Sequence, residues 1–434
     1  MGSGPGDPDS GVDQLKRGLG AISSFGKALM LRGNVRILAL TSMVTGTYMS
    51  MLNTVLQPFV VLGLGLSLPV LGVLQSVGSR PLGLASSIVQ PFSGALADVF
   101  GRRLLIAMGS AVAVGSMTSF LAAALWHSVP LLGAGFFLLG LSMLGSPASQ
   151  AMIAESVPME LEKFGIAFSV VFFFTALPGA FAPYAAGFIA ETFGYYTIFA
   201  AAIVLESVNL VLLLTRLQET KHADSKAPIR KHLSLREVFA PPPGFARIFA
   251  PFAMDAFSYS IVGGIIYGMW SKEFSISSGE IGLIVGTLYV SALVCQYPAT
   301  KLLLRVGPRR TLAISELLTV VVLLGWALTV SVPLLVLLSV VFGGSVASWF
   351  PSLQSLLMSK APADQRGSVG GKLAAFRGLL AFPAPVVGGL LYQAYGYYIP
   401  VIASLAGEVI TTLAILRLLP EIPVQRRGTA PPQR

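Results

Sequence analysis

The sequence predicts an all-α membrane protein whose twelve transmembrane helices form two pseudo-symmetric six-helix bundles. Hydrophobic residues make up 54% of its 434 positions, charged residues only 11%, and the mean hydropathy is +0.77. Soluble domains carry roughly 25% charged residues. The apolar segments mostly have the roughly 20 residues that a helix needs to cross about 30 Å of hydrocarbon. Because the strict alternation that is typical of membrane β-barrels is absent, these segments are expected to be helices.

The apolar blocks define twelve spans in chain order. Their predicted bounds are 36–63, 67–97, 103–126, 129–154, 164–190, 194–215, 246–270, 279–304, 310–329, 332–358, 368–392 and 397–417. The longest polar interruption divides them six and six. The predicted divisions are a tail over 1–33, a bundle over 34–216, a linker over 217–245, a bundle over 246–419 and a tail over 420–434.

The net charge of +10 is distributed in a way that indicates a bilayer and argues against nucleic acid as a partner. Nearly all Lys and Arg residues lie between or beyond the apolar blocks, on alternate connections only. The exceptions are Arg80, Lys272, Lys372 and Arg377. Cytoplasmic loops of membrane proteins carry this excess of basic residues. We therefore expect a multi-pass protein of the cell membrane with both termini in the cytoplasm.

The two halves share sequence. Pro147, Gln150 and Pro158 recur as Pro351, Gln354 and Pro362, each 204 residues later. A second set recurs after 202 residues, and it includes Ala182-Pro183 with Ala384-Pro385, Gly187 with Gly389, and Glu206 with Glu408. Parallel repeats about an axis along the membrane normal are a transporter architecture, in which the substrate site lies near the midplane between the halves.

The connection between the second and third spans carries a motif. From Gly94 to Arg103 it reads Gly-Ala-Leu-Ala-Asp-Val-Phe-Gly-Arg-Arg. This resembles the loop signature of the major facilitator superfamily, Gly-x-Leu-x-Asp-x-x-Gly-Arg-Arg, and the layout of the chain resembles that family after residue 33. The resemblance implies the major facilitator fold and a secondary transporter that cycles by rocking its halves, with no cofactor.

The resemblance also implies a cytoplasmic gate formed by Gly94, Asp98, Gly101, Arg102, Arg103 and Glu155. In it, Asp98 lies near the start of the eleventh helix, and Arg102 and Arg103 pair with Glu155 at the end of the fourth. The second half has Leu304-Arg-Val-Gly-Pro-Arg-Arg310 at the corresponding place, without the acidic member. A second gate of this kind is therefore not expected there, beyond a charge anchor.

Charged side chains at membrane depth are costly, so each is a candidate functional residue. Arg80 is expected midway along the second span, and Arg377 and Asp255 at similar depths in the eleventh and seventh. The two arginines are candidate anchors for an anionic substrate, because guanidinium matches carboxylate and phosphate. Alternatively, Arg377 neutralises Asp255 and Arg80 bonds to carbonyl groups. Asp255 is also a candidate proton carrier unless Arg377 holds it.

Three glutamates lie in the sixth, ninth and twelfth spans: Glu206, Glu316 and Glu408. The outer position of these helices in the family favours hydrogen bonding to neighbouring helices, with proton coupling as the alternative. Neutral polar and aromatic side chains complete the predicted transport path. They are Tyr48, Asn53, Gln57, Tyr259, Tyr289, Gln296, Trp349 and Gln354.

The leading hypothesis is a secondary active transporter of a small organic solute, most plausibly an exporter of amphipathic or drug-like compounds. An organic-anion importer or exchanger anchored by Arg80 and Arg377, a lipid or lysolipid transporter, and a non-transporting receptor are the alternatives. No enzyme or metal site is expected, because the three histidines, His127, His222 and His232, have no ligand spacing. The expected partners are the solute and the lipid bilayer, protons are a candidate coupling ion, and a monomer is expected.

Overall fold

The computed structural model describes residues 33–156, 171, 173–220, 240–361 and 366–421. Secondary structure in these ranges is helical throughout. The helices, numbered here in chain order, are α1 Asn34–Pro58, α2 Leu68–Gly78, α3 Leu84–Phe100, α4 Arg102–Trp126, α5 Val129–Leu141, α6 Gly145–Glu155, α7 Ala182–Phe193, α8 Tyr195–Arg216, α9 Ala246–Gly263, α10 Ile266–Phe274, α11 Ser278–Val306, α12 Pro308–Leu328, α13 Val332–Lys360, α14 Arg366–Ala381, α15 Ala384–Tyr395 and α16 Tyr398–Leu418.

Ten of the resulting helical segments are long and apolar enough to cross a membrane. A further pair, Phe173–Ala180 with Ala182–Phe193, is long and apolar enough only when its two helices are taken together, and it is bent by 44°. The predicted seventh span consists of α9 and α10, and the predicted eleventh of α14 and α15. The part of the predicted fifth span before residue 171 lies outside the described residues.

The prediction of one continuous second span over 67–97 is wrong. It consists of two shorter helices, α2 and α3, separated by residues 79–83. Pro81 explains the break, because proline has no N–H to donate and disfavours helical backbone at the residue before it. The hydroxyl of Ser86 lies 2.8 Å from the carbonyl oxygens of both Pro81 and Gly83, so its single proton is available to an acceptor at the break.

The helices end in the same way at corresponding places of the two halves. Gly101 precedes α4 with φ of 95°, and Gly307 precedes α12 with φ of 84°. Residues with a Cβ rarely adopt such angles, so glycine permits the sharp turn between consecutive helices here. We call the end of the molecule that carries these two turns the basic end, defined by Gly101–Arg103, Glu155 and Arg309–Arg310.

The two halves pack closely at the other end, which we call the opposite end. A Cβ on Gly389 would lie 2.8 Å from the carbonyl oxygen of Leu68, so α15 touches the backbone of α2. Gly72 and Gly187 likewise leave no room for a Cβ against the carbonyls of Pro385 and Ser278. Small residues are what allow backbones to approach this closely in membrane proteins.

Polar contacts also join the halves at the opposite end. Gln57 of α1 accepts from the backbone N–H groups of Tyr267 and Gly268, at 2.9 and 3.1 Å, and donates to the carbonyl of Gly263 at 3.3 Å. The side-chain oxygen of Gln57 thereby satisfies two N–H groups at the start of α10, which have no partner within their own helix. Tyr195 bonds to Ser278 at 3.0 Å nearby. The halves are therefore held together at this end.

Candidate transport site and buried charges

A polar cavity of about 160 Å³ lies within the first half. It opens between α1, α4, α6 and α8, and its lining includes Tyr48, Arg80, Ser110, Glu206 and Asn209. Arg80 reaches it from the break between α2 and α3 rather than from the middle of a helix, which corrects its predicted placement. The cavity therefore brings together three predicted site residues: Tyr48, Arg80 and Glu206.

Arg80 has unusual neighbours. Its Nε lies 3.0 Å from the sulfur of Met143 and its Nη1 3.3 Å from the sulfur of Met49. Thioether sulfur is only a weak acceptor. The guanidinium also shares a hydrogen bond with the hydroxyl of Tyr48, and among the described residues no carboxylate lies within ion-pair distance of it. Arg80 therefore keeps hydrogen-bonding capacity towards the cavity.

Glu206 is buried, with 2% of its surface exposed, and accepts from two side chains. The hydroxyl of Ser110 donates to one oxygen at 2.5 Å and the amide of Asn209 to the other at 3.1 Å. The predicted hydrogen bonding of Glu206 to a neighbouring helix is thus present, since Ser110 belongs to α4.

The second half pairs its arginine. Arg377 of α14 donates to Asp255 of α9 at 3.0 Å and to the carbonyl of Phe252 at 3.1 Å. The indole ring of Trp349 covers the guanidinium, 4.6 Å from ring centre to its carbon. Arg377 is thus held by a carboxylate, a carbonyl and an aromatic face, which is the structural alternative considered from the sequence.

Two further acids complete this charged region. Trp349 donates its indole N–H to Glu316 at 2.8 Å. Carboxylate oxygens of Asp255, Glu316 and Glu408 all lie within 4.8 Å of one another. Glu408 therefore faces acids of the neighbouring helices, because α16 packs between α9 and α12.

The neutral residues of the predicted path have different fates. Gln57 is 6% exposed and occupied by the contacts between the halves, so it closes the path instead of lining it. Tyr289 lies against Gly179 of the first half and close to Asn53, which is exposed. Tyr259 packs on Phe342, with ring centres 5.8 Å apart.

The remaining predicted path residues are less constrained. Gln296 is exposed, two turns from Tyr289 on the same face of α11, and Gln354 is half-buried in α13. Trp349 is committed to Glu316 and Arg377, as described above. Of the predicted path residues, Asn53 and Tyr289 therefore meet between the two halves, and the lining of a transport path by the others stays a prediction.

The gate motif forms a network at the basic end. Arg102 pairs with Glu155 at 3.3 Å, as the family resemblance implied. Arg103 does not pair with Glu155: its guanidinium donates to the carbonyl of Leu214, because it points along α4 towards α8. Gly94 lies within α3, and the side chain of Asp98 and the start of the eleventh span are outside the described side chains.

Glu219 contacts the gate motif, and the sequence did not predict this contact. Its carboxylate accepts from the backbone N–H groups of Arg102 and Arg103, at 3.0 and 3.1 Å. These are unpaired donors at the positive N-terminal end of α4. The next residue, Thr220, donates to Glu155. The start of the linker is therefore bound to the motif.

The second half has a counterpart to this contact. Glu421 lies 3.4 Å from Arg309 and 3.7 Å from Arg310, and Arg309 also donates to the carbonyl of Leu416. Glu421 follows Glu219 by 202 residues, the same offset as between Glu206 and Glu408. That offset was the signal that would have revealed both residues.

The fold and these buried charges define a multi-pass membrane carrier built from two related halves. Comparison with known proteins gives the family. The family model described as "Major Facilitator Superfamily" matches residues 38–262 and again residues 248–434. The chain therefore belongs to the major facilitator superfamily. Its members are transporters of small molecules within a membrane, not enzymes.

Individual relatives differ in what they carry. The chain is 25% identical over 327 residues to the multidrug resistance protein MdtG of Klebsiella pneumoniae (strain 342), covering 72% of this chain and 76% of the relative. The solved structure of the human organic anion transporter MFSD10 matches with a TM-score of 0.66 and 16% identity, covering 88% of this chain and 98% of the other. A D-xylose–proton symporter matches with a TM-score of 0.69 and 16% identity, covering 89% and 97%. These two structures support the fold alone.

Proposed function

We propose that this protein exports amphipathic, drug-like compounds as an ion-coupled antiporter. The observation that carries the proposal is the similarity over most of its length to a relative named as a multidrug resistance protein. The contact between Asn53 and Tyr289 across the two halves supports it, because a few polar groups among apolar side chains suit amphipathic solutes of varied shape.

The proposed cycle has a defined geometry. We propose that 34–216 and 246–419 rock as two units in a cell membrane, that the basic end and both termini face the cytoplasm, and that the protein acts as a monomer. The contacts of Gln57 and Tyr195 then close the outer side, which leaves a conformation that receives its solute from the cytoplasm.

The experiment is efflux from proteoliposomes of purified protein loaded with an amphipathic fluorescent cation. An imposed proton gradient should drive efflux above that of empty liposomes, and the driven component should disappear when the gradient is collapsed. A matched control carries a neutral sugar of similar size. Movement of the sugar but not of the dye would contradict the proposal.

A second candidate is transport of an organic anion, and Arg80 is the observation that favours it. Its guanidinium lines a cavity of about 160 Å³, contacts two thioethers and the hydroxyl of Tyr48, and forms no ion pair with a carboxylate among the described residues. Arg377 does not strengthen this candidate, because Asp255 neutralises it.

Replacing Arg80 separates the two candidates. If Arg80 anchors an anion, Arg80→Gln should lower the affinity for a carboxylated fluorescent probe at least tenfold and leave a cationic dye unaffected. The control is Arg36→Gln, in the first turns of α1. Equal loss for both dyes would mean that Arg80 serves the structure.

A further inference from the structure

Three acids are buried together in the second half. Asp255 of α9, Glu316 of α12 and Glu408 of α16 are 9%, 1% and 0% exposed. One carboxylate oxygen from each lies within 4.8 Å of the other two. Buried charges at such distances repel strongly, because little water screens them. The cluster therefore needs compensating positive charge or protons.

Protein groups supply only part of this compensation. Asp255 accepts from Arg377, and Glu316 accepts from Trp349, which carries no charge. Around Glu408, α9 contributes Asp255 and Tyr259, and α12 contributes Glu316. Arg377 of α14 is the one cation among the described groups that act on this cluster. One guanidinium faces three carboxyl groups.

Glu408 points to what is missing. Neither of its carboxylate oxygens accepts a hydrogen bond from the described residues. The hydroxyl of Thr412 donates to the backbone carbonyl of Glu408 and not to its carboxylate. The matching acid of the first half differs, because Glu206 accepts from Ser110 and Asn209. An ionised Glu408 would be a buried charge without a donor, which proteins avoid by neutralising the group.

We infer that Asp255, Glu316 and Glu408 form one proton-binding site that holds two protons in this conformation. The protons reside on Glu316 and Glu408, whose carboxyl groups share a side-chain hydrogen bond. Asp255 stays ionised against Arg377. The positive charge of Arg377 then balances the negative charge of Asp255, and the site as a whole is electrically neutral.

The position of Arg377 connects this site to the movement of the halves. The next residue on α14, Gly378, packs against Ser87 and Leu82 of the first half. Sliding of α3 against α14 therefore moves Arg377 relative to Asp255. When the pair separates, Asp255 takes up one proton, and when it re-forms, that proton is released. The proton-binding site is argued from its own contacts. Only its role, which is to supply the coupling ion of efflux, rests on the proposed function.

Infrared spectroscopy of the purified full-length protein tests the site without any solute. Protonated carboxyl groups have a carbonyl stretch that ionised ones lack. We expect this band at neutral pH, a clear loss of intensity in Glu408→Gln and in Glu316→Gln, and retention in the control Glu273→Gln, which replaces an exposed glutamate outside the cluster. A glutamine keeps the shape of a protonated glutamate, so these variants should fold. An unchanged band in both cluster variants would overturn the inference.

A second measurement tests whether the three acids bind a metal ion instead of protons. Thermal unfolding of the wild type and of Glu408→Gln is followed with Na⁺, Mg²⁺ and Ca²⁺, each against choline at equal ionic strength. A site for protons should give no shift specific to one ion. Stabilisation of the wild type by one of them, lost in Glu408→Gln, would overturn the inference. If the band behaves as expected while no dye is exported, the proposed function fails and the proton site stands.

Discussion

At the scale of single residues, burial decides what each charge does. Arg377 has three kinds of partner, whereas Arg80 contacts two thioethers beside a cavity. The two arginines looked equivalent in the sequence, since each lies within an apolar span. Their different neighbours make Arg377 an internal counter-charge and leave Arg80 as the candidate for binding solute.

This difference predicts how the buried pair responds to substitution. Removing one partner of such a pair costs about 3–5 kcal/mol, because the other charge stays buried. We expect Arg377→Gln to lower the thermal midpoint more than Asp255→Asn, since the former leaves the ionised Asp255 beside two other acids without a cation. The latter leaves Arg377 with the Phe252 carbonyl and the Trp349 ring. Thermal unfolding in detergent measures both.

The double variant provides the control for this prediction. Because it removes both charges together, it should be more stable than Arg377→Gln alone. A double variant no more stable than that single variant would show that the pair is not coupled.

At the scale of helices, glycines set how closely the halves approach. Gly72 of α2 faces the backbone carbonyl of Pro385, which cannot move aside as a flexible side chain would. Gly133 of α5 has no atom within 4 Å of the position of an added Cβ. The two residues lie in helices of the same half and differ in the space around the position of an added Cβ.

They form a matched pair of variants. We expect Gly72→Ala to lower stability by about 1–3 kcal/mol, as overpacking of a filled site does. Gly133→Ala should leave stability unchanged or slightly raised, since alanine favours helix. Thermal midpoints of the two purified variants decide the matter, and equal midpoints would contradict the close packing of α2 on α15.

At the scale of the whole molecule, closure of the opposite end depends on a few polar contacts. Gln57 makes three hydrogen bonds from α1 to the junction of α9 and α10. We expect Gln57→Leu to shift the equilibrium between conformations by about 1–3 kcal/mol towards opening at that end.

Distances between spin labels at the opposite end measure this shift. The labels are placed at the C-terminal ends of α4 and α12, which lie at the opposite end. The background is Cys295→Ser, which removes the only native thiol. Gln296→Leu is the control, because Gln296 is exposed and outside this contact. A distance distribution unchanged in Gln57→Leu would mean that the glycine contacts alone hold the halves closed.

The sequence by itself determined the class of the molecule. Hydropathy predicted the spans, the 202- and 204-residue offsets indicated parallel halves, and the segment from Gly94 to Arg103 indicated the family that the comparison then confirmed. These properties are encoded locally, because the length and polarity of a segment decide whether lipid can solvate it.

Only the tertiary structure decided what the individual polar residues contact. Gln57 was predicted to line the path but joins the halves, and Glu408 faces Asp255 and Glu316, whose proximity no sequence pattern indicated. Glu219 and Glu421 bind to arginine residues at the basic end, and neither contact was predicted from the sequence. Partners of this kind lie on helices far apart in the chain, and the packing of those helices, rather than any local pattern, brings the side chains together.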